Sequence, residues 1–112
     1  IAEGIGLDRL TANLARGLPA HNGGVAGIDS AVHVSDQEAL DMAHHILEHD
    51  GIFIGSSAAV NCAGAVKVAR RLGPGHTVAT VLCDSGLRHL TKFYNREVWA
   101  EFGLTPPVEH AR

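Results

Sequence analysis

The chain has 112 residues, 46% of them hydrophobic and 13 of them glycine, which is enough for one modest core and not for two. Aromatics make up only 4%, so the interior has to be built from Ala, Val, Ile and Leu. A net charge of −3, with no basic patch and no acidic tail, argues against a nucleic-acid or membrane-surface partner. Cys62 and Cys83 sit in apolar surroundings without metal-ligand spacing and read as buried free thiols of an intracellular protein. No signal peptide or transmembrane run is seen, and the opening at Ile1 in mid-phrase reads as part of a longer chain.

In chain order, Glu3-Gly4-Ile5-Gly6 pairs two glycines in the way that lets backbone approach a ligand, although an ordinary turn has the same look. Leu7 to Arg16 predicts a short helix with Leu10 and Leu14 on one face, and Gly17 to Gly27 a glycine-rich surface loop. Ser30 to Val34 alternates as a short strand does. Ser35-Asp-Gln-Glu38 is a capping box, and the helix it opens runs to about His49. At ~100° per residue, Ala39, Leu40, Met42, Ala43, Ile46 and Leu47 share one side and His44, His45, Glu48 and His49 the other. His45 and His49, with Asp41, have a spacing that zinc uses. All three would point into water with no closing ligand, so a solvated face is the expectation.

Asp50-Gly51 ends that helix, and Ile52 to Ile54 follows as a short buried strand bounded by glycine. Gly55-Ser56-Ser57 is a tight turn into a second helix, Ala58 to Arg71, whose first two-thirds is small and apolar all round and is expected to pack on a sheet. Leu72-Gly73-Pro74-Gly75 stops it, and Thr77 to Cys83 is a β-branched run of the kind buried in a parallel sheet. Asp84-Ser85-Gly86 makes a second polar turn at that strand's end. The alternation predicts an α/β fold, part of an open, mostly parallel sheet with right-handed crossovers and helices on both faces. Both polar turns then lie on one edge of the sheet, beside a helix N-terminus, where such sheets bind ligands. Arg88 to Phe102 has helical stretches carrying most of the aromatics, expected to cover an edge of the core, and Gly103 to Arg112 reads as a tail.

Two enzyme readings compete for these turns. Gly55-Ser56-Ser57-Ala58-Ala59 approximates the nucleophile elbow of a serine hydrolase, and Asp84 with His89 or His110 supplies the order Ser, Asp, His. Against it, Asp84 and His89 are five residues apart, and no oxyanion-loop glycine cluster follows an earlier strand.

The second reading comes from resemblance. Glu-Gly-Ile-Gly, Gly-Ile-Phe-Ile-Gly-Ser-Ser-Ala-Ala, and Leu-Cys-Asp-Ser-Gly with Leu-Thr-Lys-Phe-Tyr-Asn occur in order, with loop-sized gaps, over nearly the whole chain. They resemble the C-terminal part of the cysteine synthase and cystathionine β-synthase family, fold-type II enzymes that use pyridoxal 5'-phosphate. The ending Leu90 to Asn95 is particularly similar to the fungal cysteine-synthase-like branch.

The resemblance implies that the chain is an incomplete catalytic domain. The parent enzyme would make cysteine by β-replacement on O-acetylserine or a similar β-substituted alanine, as a homodimer, in cytoplasm or mitochondrion. It implies cofactor-binding residues as well. Ser57, with Ser56 as fallback and Gly55 in the same turn, would meet the pyridine nitrogen. Asp84 and Ser85 match a turn near that nitrogen, although Asp84 equally suits an ordinary cap, and Gly4 and Gly6 match a loop near cofactor and substrate. A neutral hydroxyl at that nitrogen makes the ring a weaker electron sink, suited to β-replacement.

Three departures accompany it. Neither Lys67 nor Lys92 matches the family's catalytic lysine, the family's phosphate-binding loop has no counterpart in the chain, and Leu18 to Gly27 is longer than the family connection. The chain alone is therefore expected to be inactive, and a non-catalytic remnant or interaction domain derived from such an enzyme is a third reading.

Overall fold

A computed structural model describes residues 1–6, 9–18 and 27–107. Most of the glycine-rich loop, His110 and the end of the tail lie outside the described residues, so the expectations for them are not addressed.

The first helix, α1, is Ala12–Arg16, shorter than its predicted span, and Thr11 caps it by accepting from the Leu14 N–H at 3.2 Å. Leu10 and Leu14 stay exposed, at 53% and 37%, because five helical residues offer too narrow an apolar face to dock.

The second helix, α2, is Asp36–Asp50, one residue longer than the sequence predicts. The capping box is complete: the Ser35 hydroxyl accepts from the Glu38 N–H at 3.2 Å, and the Glu38 carboxylate accepts from the Ser35 N–H at 2.8 Å. Gly51 closes the helix in the left-handed conformation, φ 69°, where a side chain would be strained. Ala39, Leu40 and Ala43 are fully buried, as the periodicity predicts. His44 departs from it. Its ring lies 5.5 Å from both Tyr94 and Trp99, edge-on to the latter, so aromatics from the far end of the chain cover part of the polar side. His45 and His49 stack at 4.1 Å, the His49 Nδ1 facing the His45 carbonyl.

The third helix, α3, is Ser56–Leu72, ended by Gly73. Its alanines 58 and 59 meet the alanines of α2, and such small side chains let the two helices approach closely. Ile54, Phe93 and Trp99 complete the core, with Tyr94 and Leu104 against it. The late aromatics thus form the centre of the core and do not merely cover its edge. Phe93 and Trp99 are each 1% exposed, and the Trp99 indole N–H donates to the Phe93 carbonyl at 2.8 Å, satisfying its one donor. Phe93 lies in the turn 90–94 and Trp99 in the short helix α4, Arg96–Trp99, with single helical turns at Gly86–His89 and Ala100–Phe102 on either side, not in one long helix.

The parallel sheet expected from the sequence does not form among the described residues. Residues 30–34, 52–54 and 77–83 carry no ladder, and the one pairing is an isolated antiparallel bridge between Ile54 and Ser85. A β-branched run suits a pleated sheet but needs neighbouring strands to become one. Without them Val81 and Leu82 stand 66% and 49% exposed. The remaining face of α3 is accordingly half-exposed, where the sequence predicts a helix buried all round. No helix among the described residues is long and apolar enough to cross a membrane.

Lys67 of α3 ties the two helices together, donating to Glu38 at 2.6 Å and to the His33 carbonyl at 2.8 Å. The Lys67 ammonium, together with the Ser35 backbone N–H, pulls the Glu38 carboxyl down from its ordinary 4.5 to about 2. A carboxylate lowered in the folded chain contributes stability that is complete above the unfolded value and is lost as pH falls through the folded one. Helicity followed by circular dichroism should therefore fall as the pH drops from 4.5 towards 2, and Glu38→Gln should flatten that profile. Parallel profiles for the two proteins would show that the pair contributes nothing.

Candidate functional site

The two polar turns that the sequence places at strand ends do meet. The Gly55 N–H donates to the Asp84 carbonyl at 2.9 Å, and the Gly86 N–H to the Phe53 carbonyl at 3.1 Å. Behind them the Tyr94 hydroxyl donates to the Ile54 carbonyl, and burial pushes that phenol up to about 12. The close approach needs glycine at both turns. A Cβ on Gly86 would come within 2.6 Å of the Phe53 ring, and one on Gly55 within 1.9 Å of Asp84 Oδ1.

Asp84 is not a helix cap. Its Oδ2 accepts from His89 Nε2 at 2.8 Å, across the single turn Gly86–His89. The five-residue spacing that counted against pairing the two groups is what one such turn spans. On the other side of the ring, Nδ1 faces the Ser56 hydroxyl at 3.4 Å, the long end of hydrogen bonding. Ser56 also accepts the Glu3 N–H at 3.2 Å, and Glu3 is held at its carboxylate by Lys92 at 2.8 Å. That ammonium lowers the Glu3 carboxyl below its usual range.

Glu3, Asp84 and His89 border a cleft of about 390 Å³ that Gly4, Ser57, Cys83 and Arg88 also line. The adjacent serines differ sharply there. Ser56 is 0% exposed and held within the protein, while Ser57 lines the cleft and its hydroxyl has no partner among the described residues. Gly55 underlies the turn as the N-cap of α3. Ser85 is exposed and caps the following turn, accepting from the Leu87 N–H at 3.3 Å, and it does not line the cleft. Gly4 lines it in the left-handed conformation, φ 71°; Gly6, at φ 88°, does not reach it. Asp84 Oδ1 is buried without a hydrogen-bond partner among the described residues, a costly state for a carboxylate oxygen.

Sequence reasoning missed Cys83, expected to be buried but exposed at the cleft, and Arg88, which had no role in it. Their position directly beside Asp84 and His89 was the available signal. With His89 as its base the elbow reading fails on geometry, because His89 faces Ser56, which is buried, and not Ser57; His110 lies outside the described residues. A larger groove of about 500 Å³ runs between α2 and α3, past Asp41, His45, Lys67 and Arg70, and holds none of the predicted site residues.

Residues 1–84 match the family described as pyridoxal-phosphate dependent enzymes. Over 108 residues, 96% of the chain, the sequence is 44% identical to the protein named cysteine synthase 2 of Schizosaccharomyces pombe, covering 26% of that relative. It is 50% identical over 103 residues to cysteine synthase 2 of Emericella nidulans, covering 92% of the chain and 21% of the relative. A Saccharomyces cerevisiae protein named putative mitochondrial cysteine synthase is 42% identical over 94 residues, 84% of the chain and 22% of the relative. The chain thus spans about a quarter of the length of these relatives.

Proposed function

The chain belongs to the family of pyridoxal-phosphate-dependent enzymes, and from that premise we propose that the complete protein makes cysteine by β-replacement on O-acetylserine or a similar β-substituted alanine. The observation that carries this is the cleft where the two polar turns meet, with the Ser57 hydroxyl, unpartnered among the described residues, at the N-terminus of α3. Pyridoxal phosphate, when bound, supplies an electron sink for negative charge at the α-carbon of an amino acid. The residues present fit it. The Ser57 hydroxyl, unpartnered among the described residues, the Asp84 side chain and a glycine in the left-handed conformation border one space, and Gly55 leaves out the Cβ that would displace the Asp84 carboxylate.

In this reading Ser57 holds the pyridine nitrogen as a neutral donor and acceptor, and Gly4 lets backbone pass close to the ring. Asp84 provides the acceptor on the same side, while Gly55 shapes the turn. Ser56, Ser85 and Gly6, turned away from the cleft, support the turns and not the cofactor. The extended segments 52–54 and 77–83 become strands of a fold-type II sheet once neighbouring strands of a homodimeric enzyme flank them.

The complete protein, purified, should be yellow, and borohydride should fix the cofactor to a lysine. Ser57→Ala should leave cofactor bound, shift its absorption band and slow cysteine formation by on the order of 10- to 1000-fold, as expected for one placed hydrogen bond. Colourless protein that takes up no cofactor would sink the reading, and a silent Ser57→Ala beside an impaired Ser56→Ala would move the role to Ser56.

A further inference from the structure

We propose that His89 is a positioning residue whose ring ties the Asp84 turn to Ser56, and through Ser56 to Glu3, and that it thereby sets the cofactor-facing groups of this chain. The proposal rests on the cofactor reading above. The Asp84 carboxylate at 2.8 Å fixes the ring proton on Nε2, because a carboxylate only accepts. In that tautomer Nδ1 carries a lone pair, and the Ser56 hydroxyl at 3.4 Å donates to it. The Ser56 oxygen is left to accept the Glu3 N–H at 3.2 Å. The donors Glu3, Ser56 and His89 therefore point the same way towards Asp84, and the ring links residue 84 to Ser56 and, through the Ser56 hydroxyl, to residue 3.

Each clasped residue is a neighbour of, or is itself, a group facing the cleft. Ser56 precedes Ser57 in the first turn of α3, Glu3 precedes Gly4, and Asp84 and His89 line the cleft directly. A fixed Ser56 backbone fixes where the Ser57 hydroxyl aims. The clasp is also shielded: Ser56 is 0% exposed and the His89 side chain 11%, so water competes poorly for these bonds. Gly55 belongs to the device, since a Cβ there would lie 2.9 Å from His89 Nε2 as well as against Asp84.

The test uses the complete protein as wild type, His89→Ala and His89→Gln, titrated with pyridoxal phosphate and followed by absorbance. Glutamine keeps an N–H for Asp84 and an acceptor for Ser56. His89→Ala should weaken cofactor binding on the order of tenfold, as for loss of a hydrogen bond to a charged group, and should shift the bound cofactor's band. His89→Gln should recover the wild-type band. Unchanged affinity and spectrum in His89→Ala overturns the proposal, and so does a His89→Gln protein that folds like wild type yet keeps the shifted band. Nitrogen-15 NMR of the wild-type ring should find the proton on Nε2; a proton on Nδ1 alone overturns the clasp. Wild-type protein that binds no pyridoxal phosphate sinks the cofactor reading instead, and the ring tautomer then judges the clasp by itself.

Discussion

Supplied with pyridoxal phosphate, sulfide and a β-substituted alanine, the 112-residue chain on its own is expected to form no cysteine. Covalent catalysis of this class uses a lysine amine, free to attack and later to move a proton. The chain holds two lysines, Lys67 and Lys92. Lys67 is engaged by Glu38 and the His33 carbonyl, on a helix whose side chains do line a groove, but a different one. Lys92 is engaged by Glu3 and lies 5.5 Å from the centre of the Phe102 ring. Neither lines the cleft that holds Ser57 and Asp84. The isolated chain also exposes Ile52, Val81, Leu82 and Leu87 at 46%, 66%, 49% and 69%, apolar surface that favours self-association. The measurement is a sulfide-dependent cysteine assay with mass spectrometry after borohydride. Stoichiometric pyridoxyl label on Lys67 or Lys92, together with cysteine, would falsify this expectation. An inactive chain that nevertheless binds a partner stably would favour the non-catalytic remnant.

Gly55→Ala is expected to destabilise the folded chain by about 3 kcal/mol or more, the range reached when atoms are forced into filled space. Backbone strain is not the cause, because Gly55 is extended at φ −76°, a conformation alanine adopts freely. The added Cβ would lie 1.9 Å from Asp84 Oδ1, 2.8 Å from its Cγ and 2.9 Å from His89 Nε2. Relief requires moving the Asp84 carboxylate or the His89 ring, which breaks the bond between them. Gly51→Ala is the control. Its Cβ would meet nothing within 4 Å, but φ 69° is left-handed, so about 1 kcal/mol of strain is its whole effect. Urea melts of the two variants should separate clearly. Equal midpoints would show that these groups can move without loss.

Helix α2 was legible in the chain because its signals are local. A serine and a glutamate three residues apart settle its start, a glycine settles its end, and the 3.6-residue period names its buried alanines and leucine. Helix α3 was legible in its extent but not in its surroundings. A run of small apolar residues says that something packs closely without saying on how many sides. The extended segments show the same limit more severely. Composition marks residues 77–83 as fit for a sheet, yet a strand exists only through hydrogen bonds to another segment.

The site divides along the same line. The sequence by itself determined the family, through ordered motifs, and singled out Gly55-Ser56-Ser57 and Asp84-Ser85-Gly86 as two polar turns expected to share one site. Only the tertiary structure decided which serine faces the cleft, because adjacent helical residues point ~100° apart and the direction depends on what each packs against. It also turned Ser85 into a local cap, joined Asp84 to His89, and put Phe93 and Trp99 at the centre of the core. Motifs and caps act over a few residues and are written in order along the chain. Burial, hydrogen-bond partners and the direction of a hydroxyl arise between segments dozens of residues apart, and they exist only once the chain has closed on itself.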